Sequence, residues 1–225
     1  MRLLALDTAL NACAACVFDT QLGLVSSESI AMERGHAEAL VPLVHAVMAR
    51  TEGFALIDRI ATTVGPGSFT GLRVAISAGR AFALSLRRPC VGVSTLAAIA
   101  APHILEEDGQ AVASVIDARH GQVYFQLFSA RGRTMVDARC MPLREAARAL
   151  GGGVVKIAGP AASMLYDEAR AAGASCVVAG GGTAPDIAWV AKLGLVADPA
   201  IALPRPYYLK PADATPQTAG RILRT

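Results

Sequence analysis

A short apolar strand that ends on an aspartate and turns back into a second strand occurs twice in this 225-residue chain. A shift of 110 residues carries Asp7 onto Asp117 and Phe18 onto Phe128. In the first copy Arg2–Leu6 delivers Asp7 to a turn and Ala12–Asp19 follows; in the second, Val112–Ile116 delivers Asp117 and Gln122–Phe128 follows. Both copies continue into alternating helical and strand patterns. A repeated unit of this kind constrains the chain to a duplicated α/β fold with a cleft between two halves. The polar break Glu106-Glu107-Asp108-Gly109 places the boundary near Pro102–Gly109. The halves are then 1–103 and 104–225, with 206–225 expected to pack back on the first.

Within the first half, Leu22–Ser27 reads as a third strand. Arg34–Arg50 reads as a helix, because Leu40, Leu43, Val44, Val47 and Met48 recur at helical spacing. Pro42 is expected to bend it or to mark an irregular first turn. Arg59–Val64 is a buried strand, Gly65–Gly71 a loop, Leu72–Leu86 a helix and Cys90–Val93 a strand, after which Ser94 or Thr95 can cap a helix to about Ala101. The second half reads as a strand at Thr134–Ala138, a helix at Pro142–Leu150, a strand at Val154–Ala158 and a helix at Ala161–Ala172. A strand at Cys176–Ala179 and a helix at Ala184–Leu195 follow, the latter preceded by Thr183 with Pro185 in its first turn.

Composition narrows the function classes. Hydrophobic residues make up 53% and charged residues 17%, too apolar for disorder. The formal net charge of +3 is too small to argue for nucleic-acid binding, and the basic residues form no runs. Mean hydropathy is +0.44, yet Met1–Phe18 contains Arg2, Asp7 and Asn11, and Pro89–Leu105 is too short and polar to span a bilayer. Asp7 also argues against a signal peptide at Met1–Ala15. Five cysteines, an odd number, with Cys13 and Cys16 inside a strand, fit small buried residues in a reduced, cytoplasmic protein. No second Cys or His cluster suggests a metal site.

Gly65–Gly71 (GPGSFTG) is the sharpest local motif. Set between a strand and a helix, it either cradles an anion on backbone N–H groups or makes a tight turn that lets the helix approach the sheet. Its spacing matches neither the dinucleotide fingerprint nor the Walker A loop. Along the next helix Ala75, Gly79 and Ala83 recur every four residues, a stripe suited to close packing, either internal or against another subunit. Asp7 and Asp117 are candidate catalytic or metal-binding carboxylates. Gly180–Gly182 is a Gly-rich turn or an adenosine contact. Asp117 and His120 lack a G-x-S-x-G elbow, which disfavours a hydrolytic triad.

These residues resemble the TsaB (YeaZ) family. The matching strings are LLALDTA at Leu3–Ala9, RGHAEALVPLV at Arg34–Val44, VGPGSFTGLRVAISAGRAFA at Val64–Ala83 and PCVGVSTLAAIA at Pro89–Ala100. IDARHGQVYF at Ile116–Phe125 and PYYLKP at Pro206–Pro211 complete them. The resemblance implies a duplicated actin/sugar-kinase/chaperone-like fold. It implies a non-catalytic subunit in making threonylcarbamoyladenosine on tRNA, paired with the transferase paralogue TsaD and joined by the ATPase TsaE. Contact with tRNA would come only through the complex, and the chain would form a homodimer when alone. No cofactor or metal is required, no membrane is involved, and ATP or ADP binding is left open.

In the resembling family the two helices of the first half pack against those of the paralogue. The implied contact residues are His36, Leu40, Leu43 and Val47 on the first helix. On the second they are Arg73, Ala75, Ile76, Gly79 and Ala83. A bound nucleotide would use Asp7, Thr8, Gly65, Gly67 and Asp117. Phosphate-handling members of the fold carry Gly two residues after each Asp, where this chain has Ala9 and Arg119, which weakens a phosphotransferase reading. The paralogue's H-x-x-x-H metal pair falls here on Thr95 and Ile99, neither a good ligand. The rival readings are an ATPase or phosphotransferase of the same fold and, less favoured, a peptidase.

Overall fold

The computed structural model describes residues 1–106 and 108–210. Arg2–Asp7 (β1) and Ala12–Asp19 (β2), buried almost throughout, and the more exposed Gly23–Ala31 (β3) form an antiparallel meander. His36–Met48 (α1) then crosses to Arg59–Gly65 (β4), and Phe69–Leu86 (α2) crosses to Cys90–Ser94 (β5). Both crossover strands pair parallel, giving the order β3-β2-β1-β4-β5. Thr95–Ile104 (α3) leaves this sheet.

The second half repeats the plan. Ala111–Asp117 (β6), Gln122–Phe128 (β7) and Thr134–Pro142 (β8) form the meander. Leu143–Arg148 (α4), Val155–Ala158 (β9), Ala162–Ala171 (α5), Cys176–Gly180 (β10) and Ile187–Val196 (α6) follow. The sheet order β8-β7-β6-β9-β10 matches the first. The duplicated α/β fold expected from the sequence is therefore present. The repeat is looser in register: Asp7 lies opposite Ala14, but Asp117 lies opposite Val123, so the second turn is one residue tighter.

Each half lends its last helix to the other. α3 packs mainly on β6 of the second sheet, and α6 packs on β1, β2 and β4 of the first. One face of the first sheet buries Leu4, Leu6 and Cys13 against Leu40, Val44 and Val47 of α1. The opposite face buries Leu3, Ala5 and Cys16 against Ile187 and Val190 of α6. Cys13 and Cys16 thus face opposite sides of β2, and no disulfide joins them among the described residues. Residues 202–210 return to the first half: the Gly92 N–H donates to the Ala202 carbonyl (2.8 Å) and the Tyr207 N–H to that of Val64 (2.7 Å). The rest of the tail lies outside the described residues.

The borrowed α6 is held by Arg59 of β4. Its guanidinium donates to the carbonyls of Gly194, Leu195 and Ala197 at 2.8–3.0 Å, filling acceptors that a helix end leaves open. Arg59→Met is expected to cost about 2–3 kcal/mol, the range for charge-assisted bonds at part-buried acceptors, read as a lower denaturation midpoint. Lys156 of β9, 5% exposed, makes a second internal anchor by pairing with Glu106 and Asp108 of the linker. The ammonium holds both carboxyls below their ordinary range.

Several boundaries differ from expectation. α2 starts at Phe69, inside the expected loop, because the Ser68 hydroxyl caps it by accepting from the Gly71 N–H (3.3 Å). α1 continues through Pro42. β8 runs to Pro142, and α6 begins after Asp186, whose carboxylate accepts from the Ala188 N–H (2.9 Å); Thr183 and Pro185 precede it. Met1–Ala15 supplies β1 and the start of β2. No helix among the described residues is long and apolar enough to cross a membrane.

Candidate functional site

A cleft of about 770 Å³ opens between the halves at the carboxyl ends of β1 and β6, where ligands of open α/β sheets bind. Ala9–Asn11 of the first turn, Gly67–Phe69 of the glycine loop, Ile116–Arg119 of the second turn, Tyr124 and Tyr208–Lys210 line it. Of the residues expected to serve a nucleotide, Gly67 and Asp117 reach this wall, whereas Asp7, Thr8 and Gly65 do not.

Asp7 is fully buried at the end of β1. One carboxylate oxygen accepts from the Thr63 hydroxyl (2.5 Å) and the Ala9 N–H (3.0 Å); the other has no partner among the described residues. Burial raises its pKa from the ordinary 3.8 to about 6, opposed by those two bonds and by nearby His36. Thr8 donates its hydroxyl to the Gly71 carbonyl (2.6 Å), and the Ser68 N–H donates to the Ala9 carbonyl (2.8 Å). The first turn is thus stapled to the glycine loop.

The glycines explain how the staple closes. A Cβ on Gly67 would collide with the Ala9 carbonyl, one on Gly71 with the Thr8 carbonyl, and one on Gly65 would sit 2.6 Å from the Tyr207 carbonyl. Of the two readings of GPGSFTG, the structure supports the tight turn that brings α2 onto the sheet. The second half uses the same device at Gly159, whose Cβ would meet the Val115 carbonyl.

Asp117, by contrast, is exposed to the cleft. It accepts from the Arg119 N–H (2.8 Å), as Asp7 does from Ala9. In both halves the amide two residues after the Asp is turned onto its carboxylate. Arg119, His120 and Gly121 are all left-handed, at φ 64°, 54° and 71°, which strains the first two.

The implied partner-contact residues divide sharply. Leu40, Leu43, Val47, Ala75, Ile76 and Gly79 point inward and are buried. The stripe Ala75/Gly79/Ala83 serves helix-on-sheet packing: a Cβ on Gly79 would lie 3.3 Å from the Cys90 sulfur and 3.5 Å from Thr62. His36 is half-buried, its Nε2 3.1 Å from the Leu10 carbonyl. Arg73 is exposed and Ala83 half-buried. The accessible side of the two helices is instead Val41 and His45 on α1, with Ser77, Arg80, Ala81 and Leu84 on α2.

Thr95 and Ile99, where the paralogue's metal pair would fall, are sealed in. Thr95 opens α3 fully buried, its hydroxyl without a partner among the described residues, and Ile99 packs with Leu96, Ile116 and Ala158. One cluster escaped the sequence reading. Phe69 stacks on Tyr208 (5.3 Å between centroids), and the Arg73 guanidinium lies 4.0 Å from the Phe69 ring and donates to the Tyr208 hydroxyl (3.3 Å). Tyr208 lies in the PYYLKP string, but nothing in the chain order points it at Phe69.

Comparison with known proteins agrees with this geometry. The family model for TsaD, tRNA N6-adenosine threonylcarbamoyltransferase, matches residues 26–206. The chain is 36% identical over 127 residues to the tRNA threonylcarbamoyladenosine biosynthesis protein TsaB of Escherichia coli K12, covering 56% of this chain and 54% of that one. It is 31% identical over 126 residues to TsaB of Haemophilus influenzae, covering 56% and 52%. The chain spans about half the length of the curated relatives it matches. Among solved structures, YeaZ from Pseudomonas aeruginosa superposes with a TM-score of 0.75 at 25% identity, over 92% of this chain and 99% of that one.

Proposed function

The chain belongs to the TsaB (YeaZ) family, and from that premise we propose that it is a non-catalytic partner subunit in making threonylcarbamoyladenosine on tRNA. In this reading it pairs with TsaD through the exposed sides of α1 and α2, and the ATPase TsaE joins the pair. It works in the cytoplasm, needs no cofactor, meets tRNA only within the complex, and self-associates when alone.

The observation that carries the proposal is the sealed start of α3. A buried Thr95 with Ile99 one turn on supplies no imidazole for a metal where the paralogue's pair aligns. That supports a role beside the transferase. The test is reconstitution with TsaD, TsaE, ATP, threonine, a carbon dioxide source and unmodified tRNA, with the activated threonylcarbamoyl donor supplied enzymatically. The nucleoside is then measured by mass spectrometry. Modification is expected only with this chain present, and none from this chain with donor and tRNA alone. Modification by the chain alone, or an unchanged rate on leaving it out, would overturn the reading.

A second reading, an ATPase or phosphotransferase, is favoured by Gly67, Asp117 and Arg119 lining the cleft. Micromolar Mg-ATP affinity by calorimetry, lost in Asp117→Ala, would select it.

A further inference from the structure

In a chain with 5% aromatic residues, Phe69, Tyr124 and Tyr208 all line the one cleft between the halves. Phe69 is 47% exposed and Tyr208 44%, so both rings keep open surface there. Their positions are set without a ligand. The rings stack at 5.3 Å, and Arg73 lies 4.0 Å from the Phe69 ring and donates to the Tyr208 hydroxyl (3.3 Å). Arg73 is spent on holding this pair; the cations on the lining itself are Arg119 and Lys210. Arg119 reaches the wall from a left-handed backbone, φ 64°. A side-chain-bearing residue persists in such a conformation where the surrounding structure holds it, and such residues cluster at ligand sites.

We infer that the cleft takes a single nucleotide unit, its base on the aromatic pair and its one phosphate beside Arg119, with neither a polyphosphate nor a metal. The backbone donors argue against the polyphosphate. The N–H groups of Ala9, Ser68, Gly71 and Arg119 all donate within the chain, and Pro66 has none. A phosphate nest needs successive amides left free. The carboxylates argue against the metal. Asp7 is sealed beneath its turn, so Asp117 is the single carboxylate on the lining. Among the described residues no group of three His, Cys, Asp or Glu is placed to hold an ion. Arg119 and Lys210 against Asp117 leave the wall one positive charge in excess, which matches one phosphate and not three. A base supplies the flat face that stacks on an aromatic ring, and its polar edge suits the side-chain amide of Asn11, also on the lining. The volume of about 770 Å³ lies within the range of small-ligand sites. One base with one phosphate is the chemistry of a free mononucleotide and of one residue in single-stranded RNA alike. The inference goes beyond the subunit reading and does not depend on it; it competes with the Mg-ATP reading of the same cleft.

The experiment is calorimetry on the full chain with AMP, the trinucleotide ApApA and ATP, each in EDTA and in magnesium. AMP or ApApA is expected to bind in EDTA, with magnesium changing the affinity less than about twofold and ATP binding no tighter than AMP. Arg119→Gly suits the left-handed backbone, so it is expected to keep or raise the melting temperature while weakening binding about tenfold or more. Tyr208→Leu is expected to weaken binding about tenfold, the range for one base–aromatic stack. ApApA more than about tenfold tighter than AMP would support the site and assign it to an RNA strand; equal affinities would support it and assign it to a free mononucleotide.

ATP binding about tenfold tighter than AMP, and only with magnesium, would overturn the inference in favour of the Mg-ATP reading. So would the failure of all three probes to bind at millimolar concentration, or binding that survives both substitutions. None of these outcomes bears on whether the chain pairs with TsaD.

Discussion

Gly71→Ala is expected to destabilise the protein by about 3 kcal/mol or more, at the upper end for overpacking. The new methyl would overlap the Thr8 carbonyl oxygen, a backbone atom with no rotamer to retreat into. Relief requires moving the start of α2 off the β1–β2 turn, which breaks the Thr8–Gly71 hydrogen bond and pulls on Ser68 and Ala9. Gly152→Ala is the control, since nothing lies within 4 Å of its Cβ position and its φ is not positive. Urea midpoints should separate the two variants, with Gly152→Ala near wild type. Equal midpoints would show that the loop does not need its glycine.

The second large effect is a dependence on pH centred on Asp7. Its native pKa of about 6 lies above the ordinary 3.8, so the folded state holds the proton more tightly than the unfolded one. The stability from this group is fully present below about pH 4 and is lost as pH rises through about 6. The loss is about 3 kcal/mol, because each tenfold gain in proton affinity is worth about 1.4 kcal/mol. Asp7→Asn keeps an oxygen to accept from Thr63 and Ala9 and removes the buried charge. Above pH 7 it is expected to be more stable than wild type by on the order of 1–3 kcal/mol, with the slope between pH 4.5 and 7.5 flattened. Chemical denaturation across that range checks this; parallel slopes for the two proteins would contradict it.

The strand-to-Asp turn was legible because two periodic signals, strand alternation and a terminal Asp, recur at one spacing. The Gly-Pro pair closing the fourth strand of each half, at Gly65 and Gly159, was less legible, because α4 has six residues against thirteen in α1 and the repeat falls out of step. The small-residue stripe on α2 was visible, but its direction was not. Small side chains permit close approach to a sheet or to a foreign helix alike, and Thr62 and Cys90, on the strands before and after α2, are what Gly79 packs against. Asp7 and Asp117 were expected as equivalents. A turn one residue tighter in the second half, with Arg119 and His120 left-handed, left one buried and the other facing the cleft.

The central claim is that this chain works as a partner subunit. It is tested most directly by light scattering after size exclusion, on the chain alone and mixed with its TsaD paralogue. The account predicts a one-to-one heterodimer that forms at the expense of any homodimer. No complex at tens of micromolar, with or without TsaE and nucleotide, would contradict it and leave the family likeness as one of fold alone.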